Sequence, residues 1–147
     1  MPLSRLTLRL RHRTGRDQTF FDFEVDGRSL FDRLDPGDLV SCLGWPHLEF
    51  EREMAARLLL DAPSNLASDR VELYVCGECA DIGCGAITAR ITLLDDDVVQ
   101  WSDIGYENDY DPTLPDLEPY VSIGPFTFEG DQYRQAIEAR WSKAGSN

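Results

Sequence analysis

The chain has 147 residues and a mass of 16.6 kDa, a length that suits one domain, 1–147, with a core of its own. Hydrophobic residues make up 42% and charged residues 28%, which excludes wholesale disorder, and no apolar run approaches the roughly 18 residues that cross a bilayer. Twenty-seven acids against 14 bases leave a net charge of −13, a field that repels nucleic acid and anionic membranes and draws in basic partners.

The first residues, Met1-Pro2-Leu3-Ser4-Arg5, lack the apolar core of a signal peptide, so a cytoplasmic protein is expected. Leu6, Leu8 and Leu10 alternate with Thr7, Arg9 and Arg11, the period of a half-buried strand. Thr14-Gly15-Arg16-Asp17 reads as a turn, and Phe21, Phe23 and Val25 alternate with Asp22 and Glu24 in a second strand. Together they predict a hairpin whose outer face sets the arginines of one strand against Asp22 and Glu24 of the other. Residues 29–34 fit either a short strand or a helical turn, and residues 39–43 another short element. From about His47 to Leu60 the spacing of Leu48, Glu51, Ala55, Leu58 and Leu59 turns helical, and Asp61-Ala62-Pro63 ends it.

The second half reads as strands. Val71 to Cys76, Ala86 to Leu94 and residues 98–104 each alternate, with Asp95-Asp96-Asp97 as a tight turn. Four prolines, Pro112, Pro115, Pro119 and Pro125, make residues 107–120 a long irregular loop. Residues 121–123 or 126–128 offer a last strand. A helix then follows Gly130-Asp131, with Tyr133, Ile137, Arg140 and Trp141 on one face. Hairpin, helix, β-meander and C-terminal helix, joined by turns rather than crossovers, predict an α+β fold: an antiparallel sheet with helices against one face.

Three of the four cysteines lie at Cys76, Cys79 and Cys84, spaced C-x2-C-x4-C on the tip of a predicted hairpin. Three readings fit. One is a zinc site completed by Cys42, with His47 next and Asp81 a poor third. Another is a redox dithiol, which Glu78 and Asp81 disfavour because negative charge raises a thiol's pKa. The third leads: small, buried, reduced cysteines in a packed turn. No cofactor is therefore expected, with zinc the alternative. No nucleotide loop, hydrolase elbow or zinc-protease helix motif occurs, so an absence of catalysis is the working expectation.

The run from Leu73 to Ala86, with its Y-V-C-x-x-C-x-x-x-G-C-G pattern, and the segment Trp101-Ser102-Asp103-Ile104-Gly105-Tyr106-Glu107-Asn108 resemble an uncharacterised family of small proteins of high-GC bacteria. That resemblance covers about residues 70–110 and implies no catalytic residue.

Charge is unevenly spread. Residues 91–133 carry 11 acids and no Lys, Arg or His, whereas the first 16 residues carry five arginines and no acid. Either these ends face each other, or the acids form a solvated face. The acids are interleaved with aromatics, as at protein interfaces. The leading functional expectation is thus an acidic protein-binding module for a basic partner, resembling an immunity protein that neutralises a basic toxin. Its contact set would be Asp103, Tyr106, Glu107, Asp109, Tyr110, Asp111, Asp116 and Glu118. The alternative is a small zinc-binding or thiol-redox protein built on the cysteine loop.

Overall fold

The computed structural model describes residues 3–94 and 97–145, with side chains as far as residue 139. The fold is α+β, and its sheets are antiparallel. Strands β1 (Leu6–His12), β2 (Thr19–Val25) and β3 (Arg28–Ser29) form one sheet in that order. A second sheet runs β4 (Leu39–Val40), β5 (Val71–Cys76), β6 (Ala86–Leu94), β7 (Val98–Glu107), β8 (Phe126–Glu129). Every pair between consecutive strands in these sheets is antiparallel. The helices are α1 (Leu30–Leu34), α2 (Leu48–Leu58) and α3 (Gly130–Gly145). Of the two options for the last strand, the chain takes the second. Of the turn expected at Asp95-Asp96-Asp97, only Asp97 lies among the described residues, and the side chains of Arg140 and Trp141 lie outside them.

Backbone bonds stitch the sheets together at two places. Ser4 N donates to Thr127 O at 2.6 Å beside a parallel bridge to Phe128, and Phe21 N donates to Leu43 O at 2.8 Å. Both sheets share one core. Trp101 sits at its centre, fully buried, with Phe23, Phe128 and Tyr133 set edge-on at 5.3 to 6.0 Å. Helix α3 is tied to α2 through this core: Trp101 Nε1 donates to Tyr133 Oη at 3.1 Å, and Tyr133 Oη donates to Leu58 O at 2.5 Å. A second cluster, Phe20, Val40, Cys42, Trp45, Met54, Val75 and Ala86, packs beside the first.

Two sequence expectations fail for the same reason. Asp22 is not on an outer face. Its side chain is fully buried and accepts from Tyr74 Oη at 2.7 Å, Ser29 Oγ at 2.5 Å and Phe31 N at 3.2 Å, besides pairing with Arg11 at 3.3 Å. Strand β5 does not alternate either: Val71 through Val75 are all buried. The register to β6 shifts between Glu72 and Tyr74, so Leu73 and Tyr74 both enter the main core while Val75 enters the second. A central strand covered on both faces hides its polar residues, and these must then be bonded inside. The outer pairing is kept only at Arg9, which meets Glu24 at 3.4 Å.

A buried polar knot fixes the roots of the loops at one end of the second sheet. Arg70 and Glu107 are 2% and 5% exposed. Arg70 Nε lies 3.2 Å from Glu107 Oε2, and Arg70 also donates to Thr88 Oγ1, Thr88 O and Asp103 O. The Glu107 carboxylate accepts from Thr88 Oγ1 at 2.5 Å and Ser68 Oγ at 2.8 Å. Strand β7 runs on to Glu107, past the expected end near residue 104, because this knot extends the ladder.

Candidate metal centre

The hairpin between β5 and β6 is built by local backbone bonds. Cys76 is the last residue of β5, and Ala80 N donates to Cys76 O at 2.9 Å to close the first turn. Asp81 Oδ1 accepts from Gly83 N at 2.9 Å, and its carbonyl accepts from Cys84 N at 3.0 Å, winding residues 82–84 into a single 3-10 turn. Gly85, at φ +89, returns the chain to β6; a side chain there would strain the backbone and collide with the Tyr106 ring.

This winding brings three sulfurs together. The Sγ atoms of Cys76, Cys79 and Cys84 all lie within 4.8 Å of one another, and those of Cys79 and Cys84 are 3.5 Å apart. Cys79 and Cys84 are exposed and Cys76 is half-buried, so the expectation of small buried hydrophobes fails for all three. It holds for Cys42. That thiol is buried among Phe20, Trp45 and Met54, and burial pushes its pKa well up. Cys42 does not join the triad, and neither does His47 or Asp81. Among the described residues no fourth Cys, His, Asp or Glu offers a ligand atom within the same 4.8 Å.

The electrostatics of the triad are uneven. Burial works against a Cys76 thiolate. The backbone N–H groups of Glu78 and Cys79 point at its sulfur, the Cys79 and Cys84 thiols add hydrogen bonds, and together they bring its pKa below the ordinary value. The hydrogen bonds and negative charge of Cys79 and Cys76 push the Cys84 thiol up to about 11. Ionisation is thus easier at Cys76 than at Cys84, because adjacent thiolates repel unless a cation lies between them. Asp81 N adds a contact to Cys79 Sγ at 3.5 Å. Glu78 is drawn two ways: its Oε2 lies 3.8 Å from Cys76 Sγ, a contact that favours the protonated thiol as expected from sequence, but two arginines share its charge. Arg13 takes its carboxylate at 3.2 Å and Arg16 at 3.3 Å, and these contacts hold the Glu78 carboxyl below the usual range.

Arg13 is the residue that sequence reasoning missed. Its side chain is 6% exposed and lies under the hairpin, bonded to Gln18 at 3.0 Å and paired with Asp38 at 3.0 Å. Gln18 Nε2 donates to Gly77 O at 2.9 Å. A methyl group on Gly77 would meet Arg13 Nη1 at 2.5 Å, so a side chain there would push the guanidinium from its place under the hairpin. The arginine-rich start of the chain was a signal, but nothing in it singles out position 13. Beside the hairpin opens a cleft of about 830 Å³, lined by Arg13, Arg16, Trp45, His47, Phe50 and Cys79 among others.

The residues expected to contact a partner divide. Glu107 is not among the exposed ones; it is buried in the Arg70 knot, because a carboxylate at the end of β7 finds its cation inside. Asp103 is exposed and 3.7 Å from Arg90. Tyr106 is half-buried, packs on Gly85, and is bridged through its backbone to Asp116 in both directions at 3.0 and 2.8 Å. Asp109, Asp116 and Glu118 are exposed, Asp111 is half-buried, and Tyr110 is 73% exposed. Among the described residues no cation pairs with Asp109, Asp111, Asp116 or Glu118. Among the described residues Arg9, Arg11, Arg13 and Arg16 pair with Glu24, Asp22, Asp32, Asp38 and Glu78 instead, not with the acids of 91–133. The acidic loop and the cysteine hairpin are neighbours: a Cβ at Gly83 would lie 3.6 Å from Asp109 Oδ1.

Among the described residues no helix is long and apolar enough to cross a membrane. The chain matches no protein-family model, no curated protein and no solved structure.

Proposed function

We propose that this protein binds a soft divalent metal ion, zinc by preference, through Cys76, Cys79 and Cys84. The observation that carries the reading is the convergence of three sulfurs within 4.8 Å on a hairpin whose backbone N–H groups are aimed at the sulfurs. Thiolate donors select zinc and copper(I) over hard cations. Three protein donors leave a tetrahedral ion with one position for water or another ligand, the pattern of open rather than closed zinc sites.

Cobalt(II) titration followed by zinc competition tests this. One equivalent of cobalt gives a sulfur-to-metal charge-transfer band that zinc abolishes. Serine at Cys76, Cys79 or Cys84 weakens binding strongly, and alanine at Cys42 leaves it unchanged. Absence of the band in the reduced protein refutes the reading.

A second reading has its own support: the uncompensated carboxylates of Asp109, Asp111, Asp116 and Glu118 around the exposed ring of Tyr110. It is a docking face for a basic protein, the kind of surface that an immunity protein offers to a basic toxin. Field strength at such a face acts on association rate more than on lifetime. Binding of a polyarginine peptide that is unaffected by neutralising these four residues argues against it.

A further inference from the structure

We propose that the pair Cys79 and Cys84 is an oxidative modification site, and that their disulfide expels the metal; the expulsion rests on the metal reading above. Three observations converge on this pair. Their sulfurs are 3.5 Å apart. A disulfide measures about 2.05 Å, so the sulfurs must close by only about 1.5 Å. Both side chains are exposed, so a small oxidant reaches them, whereas Cys42 is sealed in the second core. The pair also spans one turn of a single hairpin, so joining it asks nothing of the sheets that carry the turn.

The chemistry balances with peroxide as the oxidant. One thiolate attacks a peroxide oxygen; the O–O bond breaks, hydroxide leaves and the sulfur becomes a sulfenic acid. The second thiolate attacks that sulfur, forms the S–S bond and displaces the remaining oxygen as hydroxide. Two protons from solvent convert the two hydroxides to water. The two sulfurs lose two electrons in total and the peroxide gains them. Cys76 is then left as one thiolate beside a disulfide, and a single donor does not retain zinc. A reducing thiol reverses the process. The same residues therefore hold metal when reduced and release it when oxidised.

The test uses zinc-loaded full-length protein, a chromogenic zinc chelator and one equivalent of hydrogen peroxide, followed by differential alkylation and peptide mapping. The expected result is one zinc released per disulfide formed, with the bond between Cys79 and Cys84, with Cys76 still open to alkylation in the folded protein and Cys42 alkylated once the chain is denatured. The Cys42→Ala variant releases zinc at an unchanged rate. Zinc that stays bound after oxidation, or a bond mapped to Cys76, overturns the proposal. Failure to load zinc before peroxide is added refutes the metal reading instead. In that event a Cys79–Cys84 bond formed by peroxide in the metal-free protein supports the oxidation site, and its absence overturns it.

Discussion

The cysteine hairpin and the acidic loop differ in where their polar groups point. On the hairpin, backbone donors of Glu78, Cys79 and Asp81 turn toward sulfur, and the sulfurs turn toward one another. On the loop, the side chains turn back on their own backbone. Asn108 accepts from Tyr110 N and Asp111 N, Asp111 from Thr113 N and Oγ1, and Asp116 from Glu118 N. These are the Asx turns that such residues make in any Pro-rich loop, and they explain three of the loop's side chains without a ligand. Convergence of several donors on one point marks a site, whereas satisfaction by the neighbouring residue marks a turn.

The largest expected effect removes the support that both regions share. Glu107 ends β7 where the acidic loop begins, and its partner Thr88 lies two residues past Ala86, where the hairpin rejoins β6. Replacing Glu107 with alanine leaves Arg70 buried without its counter-charge, which costs about 3–5 kcal/mol. Urea denaturation measures it. A loss under 1 kcal/mol shows that solvent reaches Arg70 and that the two loops do not depend on this knot.

A second prediction concerns the hairpin alone. Gly85→Ala places a side chain at φ +89 against the Tyr106 ring. Backbone strain of this kind costs about 1–3 kcal/mol. The change falls on the turn that holds Cys84, so cobalt affinity drops while the far-ultraviolet circular dichroism is kept. Affinity equal to the parent's indicates that the triad does not rely on the Tyr106 contact.

Much of this was legible in the sequence, and what was not has a common cause. The strands at Val71–Cys76 and Ala86–Leu94 and the order of elements follow from short-range periodicity, and the triad follows from cysteine spacing on a hairpin. The burial of Asp22, Glu72 and Glu107 was not legible. Each is hidden by partners far along the chain, such as Tyr74 for Asp22 and Arg70 for Glu107, which pattern reading cannot pair. The exposure of Cys79 and Cys84 was missed too, because cysteine's average preference for the interior says nothing of a hairpin tip.

Glu72 supplies a pH test of intermediate size. It is 5% exposed on β5, and burial raises its carboxyl pKa to about 7 despite Arg57 of α2, with Glu107 of β7 adding to the rise. The Cys42 thiol also feels its charge. A carboxyl with a raised folded-state pKa binds its proton more tightly in the folded than in the unfolded chain. Its contribution to stability is therefore full below about pH 4.5 and declines as pH rises toward 7. The total is of order 3 kcal/mol. Glu72→Gln removes the proton exchange, so chemical denaturation midpoints taken across that window show a shallower decline than in the parent. Parallel slopes mean that Glu72 titrates as an exposed carboxyl does.

The smallest effect asks whether the two regions cooperate. Among the described residues the Asp109 carboxylate has no hydrogen-bond or ion-pair partner, yet it reaches the Gly83 side of the hairpin. An anion there contributes nothing to folding, so Asp109→Asn leaves the denaturation midpoint where it was. It does contribute to the field that a divalent ion meets on approach. Neutralising one charge about one Debye length or less from the triad slows zinc association by about two-fold at low ionic strength, and the difference fades as added salt screens it. Stopped-flow mixing with a fluorescent zinc chelator resolves such a change. Asp111→Asn is the internal control, because it carries the same charge change while Asp111 is engaged with Thr113. If Asp109 and Asp111 slow association equally, the loop acts as a diffuse field and position is irrelevant. If Asp109 alone does, the acidic loop serves the cysteine hairpin directly, and the two features that stood apart in the sequence form a single surface.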